Sequence, residues 1–169
     1  MNVPSASPRS TASAWAAHFE PALYALLRIV FAIVLFTHGL PKALRIPHGS
    51  MQDPMAGSIG LIQNVLGLPF APQLAFLVML LENGGALMLA LGLGTRLVAS
   101  LIVLQMTAIS VALGPTWPWL DRGIEFPVLM GMLALYILAR GGGRHALDAW
   151  LRRRNETAAT TRARHNAAY

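Results

Sequence analysis

Four apolar runs, each close to the length of a membrane-crossing helix, constrain this chain more than any other feature. They are Leu23–Leu40 (LYALLRIVFAIVLFTHGL), Leu74–Leu93 (LAFLVMLLENGGALMLALGL), Leu97–Leu113 (LVASLIVLQMTAISVAL) and Ile124–Ala139 (IEFPVLMGMLALYILA). A helix needs roughly 20 apolar residues to cross the hydrocarbon, with about 17–25 tolerated. The second run is full length, the first and third are at the low end, and the fourth needs flanking residues. Each reads as a helix, because an isolated strand leaves its backbone groups unsatisfied in lipid. Composition agrees: 55% of the 169 residues are hydrophobic and 12% are charged. A soluble domain of this size exposes too much surface to hide that much apolar matter.

The expected fold is therefore an all-α membrane protein, an antiparallel four-helix transmembrane bundle over residues 21–140. Residues 1–20 read as a disordered cytoplasmic tail. Glu20-Pro21 reads as the helix start, since proline is tolerated in a first turn. A long first outer loop, Pro41 to Gln73, is broken by prolines and holds SIGLIQNVLGL, which suits a short interfacial helix with Ile59, Ile62 and Leu66 on one side. The other outer loop carries Trp117 and Trp119, residues suited to an aromatic belt. Residues 141–154 read as a basic amphipathic juxtamembrane segment, with Leu147, Trp150 and Leu151 at helical spacing, or equally as a solvated basic stop-transfer tail. Residues 155–169 read as a second disordered tail.

Charge sets the orientation. The formal net charge is +6, from 13 Lys+Arg against 7 Asp+Glu. Four crossings put Arg9, Arg96, Arg140, Arg144, Arg152, Arg153, Arg154, Arg162 and Arg164 on one side and leave Lys42, Arg45 and Arg122 on the other. The positive-inside rule then makes both termini cytoplasmic. The basic tail is expected to face an anionic lipid surface, not nucleic acid. Twelve arginines against one lysine suggest a bacterial genome rich in G and C, and hence the bacterial inner membrane.

Ionisable groups inside spans are costly and mark candidate sites. Here they are Arg28, His38, Glu82 and Glu125, with Gln105 as a neutral companion and Lys42 one turn beyond His38. At about 1.5 Å per residue, Glu82 and Gln105 each lie roughly 12 Å from the outer ends of their spans and share a level. Arg28, Leu35, His38 and Lys42 fall on one stripe of the first run. Glu82 shares a face with Gly85, Ala86, Leu89 and Gly92; Gln105 with Ala108 and Ala112; Glu125 with Met132 and Tyr136. Small neighbours let helices approach and shield polar groups. Arg28 either snorkels to the headgroups or pairs with Glu82. Glu82 is too deep to snorkel and must be neutral, paired or hydrated. His38 also reads as a plain hydrogen-bonded residue, and Lys42 and Glu125 as markers of the membrane surface.

Cofactor chemistry is narrowed by what is missing. The chain has no cysteine. Disulfides, thiolate metal sites and thiol exchange are therefore excluded in this chain, and electron transfer from thiols would need a partner's sulfur. Haem would need two facing histidines, but His38 lies in a span and His48 in a loop. The methionines do not cluster and suit core packing better than a metal.

The pattern resembles the DoxX family of small four-helix membrane proteins over roughly residues 23–151. The first run carries Arg28 followed by HGLPK, with His38, Gly39 and Lys42. The second carries ENGGALMLALGLGTR, with Glu82, Gly85, Gly92, Thr95 and Arg96. Beyond Glu125, GGGRHALDAWL supplies Gly143, Arg144, Leu147 and Asp148, with Ala146 where serine is commoner in the family. The resemblance implies structural roles for Gly39, Gly85, Gly92, Arg96, Arg144 and Asp148. It also implies a link to oxidoreductases, since related proteins form the membrane part of a thiosulfate:quinone oxidoreductase and some members associate with redox-defence enzymes.

Three functions fit these residues. The first is a quinone-linked oxidoreductase subunit, with Glu82, Gln105 and Arg28 lining a cavity and His38 or Glu125 relaying protons outward. The second is a scaffold that anchors a soluble redox enzyme on the cytoplasmic side, its polar groups only fixing helix register. The third is a small-molecule carrier, in which a homodimer would supply the missing repeat.

Overall fold

The computed structural model describes residues 11–166 of the chain. Among them there is no strand, only an isolated bridge between His48 and Met51. The elements are α1 (Thr11–Leu44), α2 (Pro54–Gly60), α3 (Ala71–Leu91), α4 (Thr95–Leu113), α5 (Glu125–Arg140) and α6 (Leu147–Asn166). The four apolar runs became α1, α3, α4 and α5.

Among the described residues, three segments are long and apolar enough to cross a membrane: Ala17–Leu44, Ala71–Leu91 and Thr95–Leu113. The fourth, α5, has 16 residues. Side chains of all four helices share one apolar core, with Phe31 and Leu35 from α1, Leu89 from α3, Ile102 from α4 and Ile137 from α5. The two most extensive helix pairs are α1 with α3 and α4 with α5. Leu23, Ile33, Leu77, Leu87, Leu104 and Leu129 point outward and are exposed. Large apolar side chains on the outside of a core this well formed suit a lipid surround better than water.

Helix ends differ from the expected ones where prolines sit. Pro21 suits a helix start, but α1 already runs from Thr11 and holds both Pro21 and Pro41 inside it. Residues 11–20 are thus helical; the rest of the expected first tail, 1–10, lies outside the described residues. A proline removes one backbone donor and crowds the preceding turn, and a helix this long has other bonds to hold it. In the outer loop, Asp53 caps α2: its Oδ1 accepts from the amides of Met55 at 3.0 Å and Ala56 at 2.9 Å, and Pro54 occupies the first turn. The helix expected from Ser58 therefore starts at Pro54 and continues through a π turn, Leu61–Val65. Its Ile62 packs on Ala71 and Ala75 of α3. At the other end, α6 begins at Leu147 and runs to Asn166, so most of the expected second tail is helical as well.

Two glycines decide how the helices meet. Gly39 lets α1 close on α3: a Cβ there would lie 2.7 Å from Glu82 Cβ and 2.9 Å from the Glu82 carbonyl carbon. Gly92 ends α3 with φ +73°, and a Cβ there would strike Ala146 and Arg28. A side chain is thus barred at Gly92 by both backbone conformation and space.

Candidate functional site

Glu82 lies in a five-residue π turn, Leu81–Gly85, that interrupts α3. Such turns insert one extra residue into an α-helix and recur at functional positions. Its carboxylate is held from two other helices. Lys42 Nζ of α1 donates to Glu82 Oε1 at 2.7 Å and to Oε2 at 2.5 Å. Gln105 Nε2 of α4 donates to Oε1 at 2.7 Å. All three residues are buried: Lys42 is 8% exposed, Glu82 3% and Gln105 6%. An unpaired ion at this depth would cost several kcal/mol, so the pairing is what permits the charges to be there. One atom is left over. Gln105 Oε1 is buried and accepts no hydrogen bond.

Arg28 does not reach this cluster. Its guanidinium donates to the Gly142 carbonyl and, at 3.4 Å, to the Ala90 carbonyl. It is 1% exposed, so it does not snorkel either. Lys42, not Arg28, is the cation paired with Glu82, and it is buried between α1 and α3. The two arrangements are separated along α1 by 14 residues, about 21 Å of rise.

The second arrangement closes the far end of the bundle. Tyr24, one turn before Arg28, donates its hydroxyl to the Gly141 carbonyl. Asp148 of α6 accepts from the amides of Gly94 at 3.2 Å and Thr95 at 3.4 Å. Its own amide donates to the Gly92 carbonyl at 3.2 Å. A carboxylate on the first amides of a helix satisfies orphan donors and complements the helix dipole. The α5–α6 loop is thus tied to α1 and to the α3–α4 turn. Arg96 reaches the Ala139 carbonyl at 3.5 Å. Arg140 pairs with Glu20 and lies 4.5 Å over the Tyr24 ring.

The remaining expected residues lie elsewhere. His38 is half-buried, its ring 5.1 Å from that of His48 and 5.6 Å from that of Phe126. Glu125 is exposed in the first turn of α5, on the same outward face as Met132 and Tyr136. Gly85 is buried against Leu81 and Val98, and Arg144 is exposed at the start of the tail. Among the described residues, no three His, Asp or Glu side chains gather as a metal site. Tyr24 is a side chain that the sequence reading passed over, while Thr95 entered it only as part of the motif that ends α3. Tyr24 could have been found from its place one turn before Arg28 on the same face.

The DoxX family model matches residues 23–114, from the start of the core-forming part of α1 to the end of α4. The chain belongs to the DoxX family. The match takes in Arg28, Lys42, Glu82 and Gln105 but stops short of Gly143, Arg144 and Asp148; of these three, Asp148 is placed in this DoxX chain by its bonds to the α3–α4 turn. Neither the search of curated proteins nor that of solved structures gives a match.

Proposed function

We propose that this DoxX protein is the membrane subunit of a quinone-linked oxidoreductase, with the Lys42–Glu82–Gln105 cluster as its proton-handling site. The observation that carries the reading is the orphaned Gln105 Oε1, a buried acceptor beside a buried ion pair. A buried acceptor without a donor costs about 1–3 kcal/mol, and a hydroxyl-bearing ligand would supply the donor. The donor set fits a quinol or quinone headgroup: Gln105 Oε1 accepts from a hydroxyl, and Lys42 Nζ donates to a carbonyl. A quinone would supply the transfer of two electrons with two protons. The chain's own part is to hold a proton at Glu82 or Lys42 and to orient the headgroup through Gln105. With no cysteine in the chain, electrons would come from a soluble redox partner on the cytoplasmic side.

In this reading α5 is the fourth crossing and the protein is a four-helix antiparallel bundle in a bacterial inner membrane. The arginine-rich ends of the chain then face the cytoplasm. The α5 helix is about 24 Å long, so flanking residues complete the span. The test is quinol binding by Gln105→Leu in nanodiscs. Loss of saturable binding by a variant that still melts cooperatively supports the reading; wild-type binding by the variant counts against it.

A scaffold is the second reading, favoured by one observation: both Glu82 oxygens are already taken by α1 and α4. A pair so fully satisfied also serves as a clamp that fixes register.

A further inference from the structure

A cavity of about 620 Å³ opens at the end of the bundle, away from Glu82. Arg96 of α4, Arg144 of the α5–α6 loop and Arg152 and Arg153 of α6 line it together with Thr95 and Asp148. Arg140 also lines it but is paired with Glu20. Asp148 lends its carboxylate to the first amides of α4. Arg153 donates to the Arg144 carbonyl at 3.1 Å, which fixes its position without neutralising it. The side chains of Arg144 and Arg152 make no hydrogen bond or ion pair among the described residues. Thr95 is buried on the cavity wall, and its hydroxyl has no partner.

Several guanidinium groups around one concavity repel each other, and the single carboxylate among them is engaged elsewhere. Guanidinium pairs most strongly with phosphate and carboxylate oxygens. A second cavity of about 350 Å³ shares Arg144 and Arg153 with the first and adds Leu91, Leu147 and Trp150. Leu91, Leu97 and Trp150 are exposed beside the arginines. The concavity is therefore basic on one side and apolar on the other, which is the pattern of an anionic amphiphile.

We propose that this cavity is a specific site for the phosphate of an anionic phospholipid, with Arg144 and Arg152 as its ligands and the Leu91–Trp150 side receiving the start of an acyl chain. The site needs only that the chain is a membrane protein. It is independent of any chemistry at Glu82.

The experiment uses the full chain in detergent, with bound lipid counted by native mass spectrometry. The probes are phosphatidylglycerol, phosphatidylcholine and inorganic phosphate. The comparison is wild type, Arg144→Gln/Arg152→Gln, and Arg154→Gln, which removes a charge from the same helix outside the cavity. The expected result is one saturable phosphatidylglycerol, weakened roughly tenfold or more in the double variant. Arg154→Gln should bind as wild type does, phosphatidylcholine should not bind saturably, and inorganic phosphate should fail to displace the lipid. Equal weakening by Arg154→Gln would mean diffuse attraction and overturn the site. So would unchanged binding by the double variant. Displacement by inorganic phosphate would make the ligand a free anion and overturn its assignment to lipid.

Discussion

Lys42 reaches from α1 to α3 and grips both carboxylate oxygens of Glu82, at 2.7 and 2.5 Å, at a depth where neither residue meets solvent. Two charges from helices far apart in sequence thus become one element of structure. Removing either partner should cost more than removing both, because a lone buried ion is worse than none. Lys42→Met alone and Glu82→Gln alone should each destabilise by about 3–5 kcal/mol. The double variant Lys42→Met/Glu82→Gln should recover much of that loss. Thermal melts of the three variants in detergent check this.

Gly39 is the residue that allows that grip. Gly39→Ala would place a methyl 2.7 Å from Glu82 Cβ, with the α3 backbone just behind it. The helices must then separate, at a cost of about 1–3 kcal/mol. A melt of Gly39→Ala beside Gly84→Ala, whose added methyl meets open space, separates close approach from helix propensity.

Asp148 should matter to α4 before it matters to α6. Asp148→Ala removes the acceptor for the Gly94 and Thr95 amides and should cost about 1 kcal/mol, with Asp148→Asn keeping part of it. Hydrogen exchange should quicken at those two amides, while the amides in the middle of α4 stay protected.

Arg28→Met should loosen the α5–α6 loop and leave the Glu82 cluster alone. The lost bonds are to the Gly142 and Ala90 carbonyls, worth about 1–3 kcal/mol for a charged donor. Limited proteolysis should cut faster between residues 141 and 146, and the effect of Glu82→Gln on stability should be additive with it.

The long helices were legible in the sequence because hydropathy acts over whole segments: α1, α3, α4 and α5 fall where the apolar runs lie, and α1, α3 and α4 hold segments long and apolar enough to cross a membrane. The face of α3 that carries Glu82, Gly85, Ala86, Leu89 and Gly92 was legible too, since helical period sets which residues share a side, and all five are buried. Axial level was not. Periodicity on α1 put Arg28 and Lys42 on one stripe but could not say which of them meets Glu82. That is decided by how far α1 slides along α3, and Gly39 and the Gly92 turn fix it through contacts between distant residues. The buried stripe of α4 ran through Val98, Ile102 and Gln105 instead of Ala108 and Ala112, because α4 packs on α5 as well as on α3. Asp53 was hidden among prolines that read as breakers, although Asp followed by Pro is a sound helix start.

The central claim is that the Glu82 cluster takes a quinone headgroup, and quinone binding by the double variant tests it most directly. Ubiquinone and menaquinone would be titrated into nanodiscs holding wild type or Lys42→Met/Glu82→Gln, the variant expected to keep the fold while losing both charges. The account predicts saturable binding by wild type and none by the variant, with a cooperative melt showing the variant to be folded. Absence of saturable binding by wild type, or equal binding by both proteins, would contradict it and leave the cluster as a clamp.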